Sequence, residues 1–169
     1  MLYPNFLTNT ELENIEKTST TFITWQNGHT TDKRKGYRIV RKTSVLNDFP
    51  YLKEKVWNKL APTSSFDIDG VSQMDMLHYQ PGGKYDWHQD VTYGDKKERK
   101  YTFIIQLTDS SKYKGGNLEF LSGYDIDTIK SRQQGTLIVF PSYLQHRITP
   151  ILEGERYSIV GWLSGPPWK

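Results

Sequence analysis

Apolar residues recur along this chain with two different periods, and the change falls near residue 66. Before it the period is helical. Leu12 and Ile15 lie on one stripe behind Thr10 and Glu13, whose spacing is that of a capping box, which predicts a helix over 10–18. Pro50 then opens YLKEKVWNKL, where Leu52, Val56 and Leu60 recur every four residues, and Pro62 closes a second helix. Between the two helices, residues 19–43 mix Thr, Gly, Lys and Arg without a period, apart from strand-like pieces at 21–25 and 37–40 around an Asn27-Gly28 turn signal. Beyond residue 66 the chain breaks into short β-rich runs at 71–80, 101–108, 117–120, 136–140, 146–150 and 156–164. Turns at Pro81-Gly82-Gly83, Gly115-Gly116, Gln134-Gly135 and Glu153-Gly154 separate them, which predicts an antiparallel sandwich or barrel and no further helix. The charged run 95–100, DKKERK, reads as a solvated loop.

At 169 residues the chain has the size of one domain, expected to span 1–169 with a helical lead-in over about 1–65 and a β core over about 66–169. Folding at this length buries roughly 70% of the unfolded surface, so a bound metal is expected to serve function rather than stability. The absence of cysteine excludes disulfide scaffolds, thiolate zinc sites, iron–sulfur clusters and thiol nucleophiles. Lys+Arg 22 against Asp+Glu 19 leaves a net charge of only +3, and the basic stretch from Lys33 to Lys42 alone favours nucleic acid, which is therefore not expected as a partner. No apolar run approaches the ~20 residues of a membrane span, and MLYPNFLTNTELENIEK lacks the regions of a secretory leader, which predicts a soluble cytoplasmic protein with no membrane partner. Aromatic residues make up 14% of an otherwise polar chain of mean hydropathy −0.68, so rings must supply much of the core.

Four histidines carry most of the candidate chemistry: His29, His78, His88 and His146. His88 and Asp90 are two apart, so an extended 87–90 would turn both to one face, and His146 begins a later strand after the Pro141 turn. Two imidazoles and one carboxylate make a facial triad that suits non-haem Fe(II); an incidental His-X-Asp and a polar strand histidine are the bland alternative. Arg156 begins the next strand after Glu153-Gly154, with Ser158 on the same face. Turned into a barrel, an arginine requires an anion, and the pair would form a carboxylate clamp; an ordinary surface arginine is the other reading. His78 adjoins Tyr79 and should face the opposite way, as a structural residue, while His29 is expected on the surface and Gly115-Gly116 in a turn rather than a phosphate loop.

Together these motifs carry a resemblance. YQPGGKYDWHQD from Tyr79 to Asp90, KGGNLEF from Lys114 to Phe120, GTLIVFPSYLQH from Gly135 to His146, RYS from Arg156 to Ser158 and GPPW from Gly165 to Trp168 resemble the 2-oxoglutarate and Fe(II)-dependent oxygenases, most of all their prolyl 4-hydroxylase-like, PKHD-type branch. The resemblance implies a mainly β fold with flanking helices, a double-stranded β-helix or distorted, cupin-like jelly roll. It implies a dioxygenase that converts 2-oxoglutarate to succinate and CO2 while hydroxylating a C–H bond, with Fe(II), 2-oxoglutarate and molecular oxygen, and ascorbate as accessory reductant. Metal ligands fall on His88, Asp90 and His146, and the catalytic set adds Arg156. The cosubstrate residues fall on Arg156, Ser158 and Tyr79, with Gln106 standing where relatives often have a tyrosine. Classical prolyl hydroxylases have lysine in place of Arg156, which favours the PKHD-type branch. Tyr85, Trp87 and Trp162 are expected as aromatic walls. The substrate implied is a peptidyl proline or another amino-acid side chain in a protein; a free amino acid or small molecule is the alternative, and a non-catalytic jelly-roll binding module a more remote one. The polar loops 20–43 and 91–100 are expected to flank the entrance, with Trp25, Tyr37 and Tyr93 as contacts.

Overall fold

The computed structural model describes residues 1–22, 26–27, 36–121 and 123–168, without the side chains of residues 20–22. Its elements are β1 (Leu2–Tyr3), α1 (Asn9–Phe22), β2 (Gln26–Asn27), β3 (Arg38–Ile39), β4 (Arg41–Ser44), α2 (Pro50–Leu60), β5 (Gly70–Tyr79), β6 (Lys84–His88), β7 (Glu98–Gln106), β8 (Tyr113–Gly115), β9 (Leu118–Phe120), α3 (Thr128–Arg132), β10 (Leu137–Pro141), β11 (His146–Ile148), β12 (Ile151–Gly154) and β13 (Arg156–Gly165). A major antiparallel sheet runs β1-β10-β7-β13-β5-β4-β2, a minor one runs β3-β6-β11-β9, and β12 pairs with β8. This is the antiparallel β architecture that the spacing of the runs predicts, and the mainly β jelly roll that the resemblance implies. No helix among the described residues is long and apolar enough to cross a membrane.

The long central strands are apolar on both faces because the major sheet is covered on both. Met74, Met76, Phe103, Ile105, Val139 and Ile159 pack outward against Ile15 of α1 and Leu52, Val56 and Leu60 of α2. Each such aliphatic side chain contributes about 1.5–3 kcal/mol by leaving water. Leu77, Tyr79, Ile104, Phe140, Val160 and Trp162 alternate with them and face inward onto Leu118 and Ile148 of the minor sheet. Gly161, in the middle of β13, is required by that outer packing: a Cβ there would collide with the Phe103 ring and the Gln73 carbonyl.

Several sequence expectations move. The first helix is Asn9–Phe22 rather than 10–18, and its capping box is Thr8 with Glu11, not Thr10 with Glu13: the Thr8 amide donates to Glu11 Oε2 at 2.7 Å and the Glu11 amide to Thr8 Oγ1 at 3.2 Å. Lys55 on α2 holds the same carboxylate at 2.7 Å, a tertiary contact that favours the earlier start. Of the strand-like piece 21–25, residues 21 and 22 belong to α1 and the rest, Trp25 included, lies outside the described residues, as do Gly28, His29 and the basic residues 33–35. Glu98 and Lys100 are not loop residues but buried members of β7, because the Glu98 carboxylate accepts from the Gly94 and Trp168 amides and the Lys100 ammonium sits 3.8 Å over the Trp168 ring. A short third helix, α3, is capped by the Asp127 carboxylate, and β1, β3 and β4 bring strands into the lead-in.

Candidate active site

Strand β6 enters the minor sheet between β3 and β11, with His88 opposite His146. The pairing then slips: Ile148 lies opposite Tyr85, so three steps on β6 match two on β11. This bulge turns Tyr85 and His88 to one face, which regular alternation would forbid, and their rings stack 3.5 Å apart at 12°. The strand ends at His88, so Asp90 is not aimed by extended alternation. It is drawn in by the loop, where the amides of Asp90 and Val91 both donate to the Ser142 carbonyl, at 2.9 and 3.1 Å.

The result is one buried cluster: a donor atom each from His88, Asp90 and His146, all within 4.8 Å of one another. Each imidazole is oriented from behind. His88 Nδ1 donates to the Asp86 carbonyl at 2.7 Å and His146 Nδ1 to the Leu144 carbonyl at 2.9 Å, which turns both Nε2 atoms toward Asp90, each 3.5 Å from one of its oxygens. Burial, reinforced by His146 and partly offset by Asp90, pushes His88 down to about 4, so it is neutral near pH 7. Burial opposes the Asp90 charge, but His146 and His88, the Thr102 hydroxyl at 2.9 Å and Arg99 outweigh it and hold the carboxyl below its ordinary range. Neutral nitrogen donors and an ionised carboxylate are the states a divalent cation needs, and the donor set fits Fe(II).

The same cavity is lined by Tyr79, Tyr85, Arg156, Ser158, Trp162 and Arg38. Arg156 is only 1% exposed, lies opposite Tyr79 in the β13–β5 pairing and makes no ion pair among the described residues. Its Nε and one terminal nitrogen, and the Ser158 hydroxyl, are buried without a hydrogen-bond partner among the described residues. A buried guanidinium in that condition calls for an anion, and the fork with a neighbouring hydroxyl fits a carboxylate. Burial raises the Tyr79 phenol against the pull of Arg156, so it remains a protonated donor.

Sequence-predicted residues therefore divide. His88, Asp90, His146, Arg156, Ser158, Tyr79, Tyr85 and Trp162 share the cavity. Gln106 does not line it; its amide donates to the Ser131 carbonyl at 3.0 Å. Trp87 does not line it either, and lies under Arg147 at 4.6 Å. Tyr37 is 7% exposed and packs edge-on to Tyr85, so it supports the wall instead of reaching out as a contact, whereas Tyr93 is exposed. His78 faces away from the cavity, as alternation requires, and contacts Glu155 at 2.8 Å beneath the Tyr157 ring. Thr102, Ser142 and Arg38 are the residues sequence reasoning missed. A roomier cavity, about 680 Å³, lies on the other side of the major sheet against α1 and gathers none of the predicted site residues.

Residues 74–164 match the family model of the 2OG-Fe(II) oxygenase superfamily, and the chain belongs to that family. It is 36% identical over 83 residues to a PKHD-type hydroxylase of Synechococcus sp. (strain CC9605), a match covering 48% of this chain and 37% of the relative, so it spans little more than a third of that protein's length. Its fold resembles a viral collagen prolyl hydroxylase from Paramecium bursaria Chlorella virus-1, in a 2OG complex, with TM-score 0.69 at 18% identity over 98% of this chain and 94% of that one. It also resembles a prolyl hydroxylase from Trichoplax adhaerens in complex with a hypoxia inducible factor peptide fragment, with TM-score 0.71 at 18% identity over 96% and 82%.

Proposed function

We propose that this chain is a 2-oxoglutarate- and Fe(II)-dependent hydroxylase acting on an amino-acid side chain of a peptide or protein, with peptidyl proline as the specific substrate. One observation carries the reading: a single cavity holds both the His88, Asp90, His146 cluster and a buried guanidinium, Arg156, with no acid paired to it among the described residues. His88, Asp90 and His146 would hold the metal, their imidazoles fixed by backbone carbonyls and the carboxylate by Thr102. Arg156 and Ser158 would take the distal carboxylate of 2-oxoglutarate, with the Tyr79 hydroxyl as a further donor. With oxygen, Fe(II) and 2-oxoglutarate supply the oxidising power, one oxygen atom entering the C–H bond and the other the succinate left after loss of CO2. The chain itself supplies positioning and exclusion of water, which Tyr85, Ile104, Ile148 and Trp162 provide as an apolar lining. The peptide reading is supported by the PKHD-type relatives and by the peptide-bound prolyl hydroxylase with the same fold.

The test is to incubate purified protein with Fe(II), 2-oxoglutarate, oxygen and proline-containing peptides, and to follow peptide mass and succinate. A gain of one oxygen per succinate is expected. Oxygen on free proline alone would transfer the activity to small molecules, and no succinate under any condition would overturn the reading. Mn(II) content, measured after identical reconstitution, should fall in His88→Ala and Asp90→Ala; undiminished stoichiometry in both contradicts the ligand set.

A further inference from the structure

The cavity contains a second guanidinium, from a part of the chain that the family match does not reach. Arg38 lies on β3, outside residues 74–164, and lines the same space as His88, Asp90 and His146. Its place is fixed by a three-layer stack. The Tyr85 ring lies on His88, and the Arg38 guanidinium carbon lies 4.5 Å over the Tyr85 ring. Arg38 is therefore one aromatic thickness from a candidate metal ligand. The strand that carries it is anchored twice: Arg38 pairs with Tyr85 across the sheet, and Tyr37 meets the Tyr85 ring edge-on at 5.8 Å while its hydroxyl donates to the Trp87 carbonyl.

Two arginines in one cavity divide its anion-binding capacity. Arg156 is fully buried at the start of β13, opposite Tyr79, and is the clamp already assigned to the cosubstrate. Arg38 is on the edge strand of the minor sheet, is half-buried where Arg156 is 1% exposed, and also lines a neighbouring groove with Val40 and Arg41, so it stands at the outer side of the cavity. A molecule entering past it must meet a cation held rigidly against an aromatic face. We propose that Arg38 recognises a carboxylate on the substrate, so that the peptide oxidised here carries an acidic residue close in sequence to the reacting proline. The inference rests on the hydroxylase reading and names its substrate class. A guanidinium fork suits a carboxylate in two-point contact, which an amide of the same shape cannot reproduce.

The experiment compares two capped, amidated peptides that differ only by Asp or Asn next to a proline, titrated into the Fe(II) and 2-oxoglutarate form under anaerobic conditions. The parent is expected to prefer the Asp peptide by tenfold or more, Arg38→Gln to abolish the preference and Arg38→Lys to restore part of it. A role confined to propping Tyr85 would weaken both peptides alike and leave their ratio unchanged. Equal affinity of the parent for both peptides, or the same preference in Arg38→Gln, overturns the proposal. A parallel titration of 2-oxoglutarate without peptide identifies the anion: a loss confined to 2-oxoglutarate, with the peptide preference intact, also overturns it. Equal oxidation of both peptides discards Arg38 as the reader while keeping the hydroxylase reading; binding of neither peptide discards the acidic-peptide assignment, and succinate release then decides separately whether the enzyme reading stands.

Discussion

The two ends of the cavity solve the problem of buried polarity in opposite ways. At the metal end the protein supplies the partners: His88 and His146 each donate to a backbone carbonyl, and Asp90 accepts from Thr102, whose oxygen in turn lies 3.1 Å from Ser142. At the clamp end it does not: two Arg156 nitrogens and the Ser158 hydroxyl are buried without a hydrogen-bond partner among the described residues. Backbone carbonyls and the Thr102 hydroxyl fix the geometry of the first end before anything binds, whereas the second end is complete only with a ligand. A ligand that completes it binds the folded state alone and so adds to stability by mass action. The contrast predicts that mutations at the two ends move different observables.

The largest effect should come from Arg156→Leu. Removing the fork should cost 2-oxoglutarate binding about 3–5 kcal/mol, since breaking a buried charge pair forfeits both the attraction and the desolvation already incurred. The same substitution takes an uncompensated charge out of the interior, so the ligand-free variant should unfold no earlier than the parent. Thermal unfolding with and without 2-oxoglutarate checks both halves. A ligand-induced shift that survives in Arg156→Leu would break the assignment of the clamp.

How much of this contrast is readable in the sequence depends on how local its determinants are. His88, Asp90, His146 and Arg156 are legible because each sits in a short motif next to a Gly or Pro turn, and because the change of period near residue 66 already announces an antiparallel β core. The supports are not, since Thr102 and Ser142 reach Asp90 from 12 and 52 positions away in the chain: Thr102 carries no motif, and Ser142, though inside GTLIVFPSYLQH, holds the Asp90 amide through its backbone carbonyl, which any residue would offer. The bulge that turns Tyr85 toward His88 leaves no mark in β6, whose five residues are all half-buried and so show no alternation. Arg38 lies in the short strand-like piece 37–40 between other basic residues, so nothing local distinguishes it from a surface cation. Glu98 and Lys100 mislead in the other direction: their burial depends on Gly94 and Trp168, and charge alone makes them look solvated.

A second, smaller effect tests the metal end through pH. His88 is held near 4 in the fold, chiefly by burial, against about 6.5 for an unfolded histidine, so the unfolded chain takes up the proton first as pH falls. Stability is thus complete above about 6.5 and lost as pH drops toward 4, by on the order of 3 kcal/mol at most. Urea unfolding of metal-free protein across that range should show the loss, and His88→Gln should flatten it. A parent whose stability does not change between these pH values would show that His88 is not held neutral by its surroundings.

The smallest and most discriminating comparison sets Thr102→Val against Ser158→Ala, two hydroxyls lost from the same interior. Thr102 already donates to the Asp90 carboxylate, so valine should destabilise the metal-free protein by about 1.5–3 kcal/mol, the value of a hydrogen bond to a charged group, and weaken metal binding by about 10–100-fold. The Ser158 hydroxyl has no hydrogen-bond partner among the described residues, so alanine should leave the ligand-free unfolding midpoint where it is and lower 2-oxoglutarate affinity by roughly 1.5 kcal/mol. Denaturation midpoints and two separate titrations, of Mn(II) and of 2-oxoglutarate, give the four numbers. If Ser158→Ala proves as damaging to the ligand-free fold as Thr102→Val, the serine has a partner of its own before ligand binds. The clamp would then be organised in advance like the metal end, and binding of 2-oxoglutarate would complete nothing that the protein had left open.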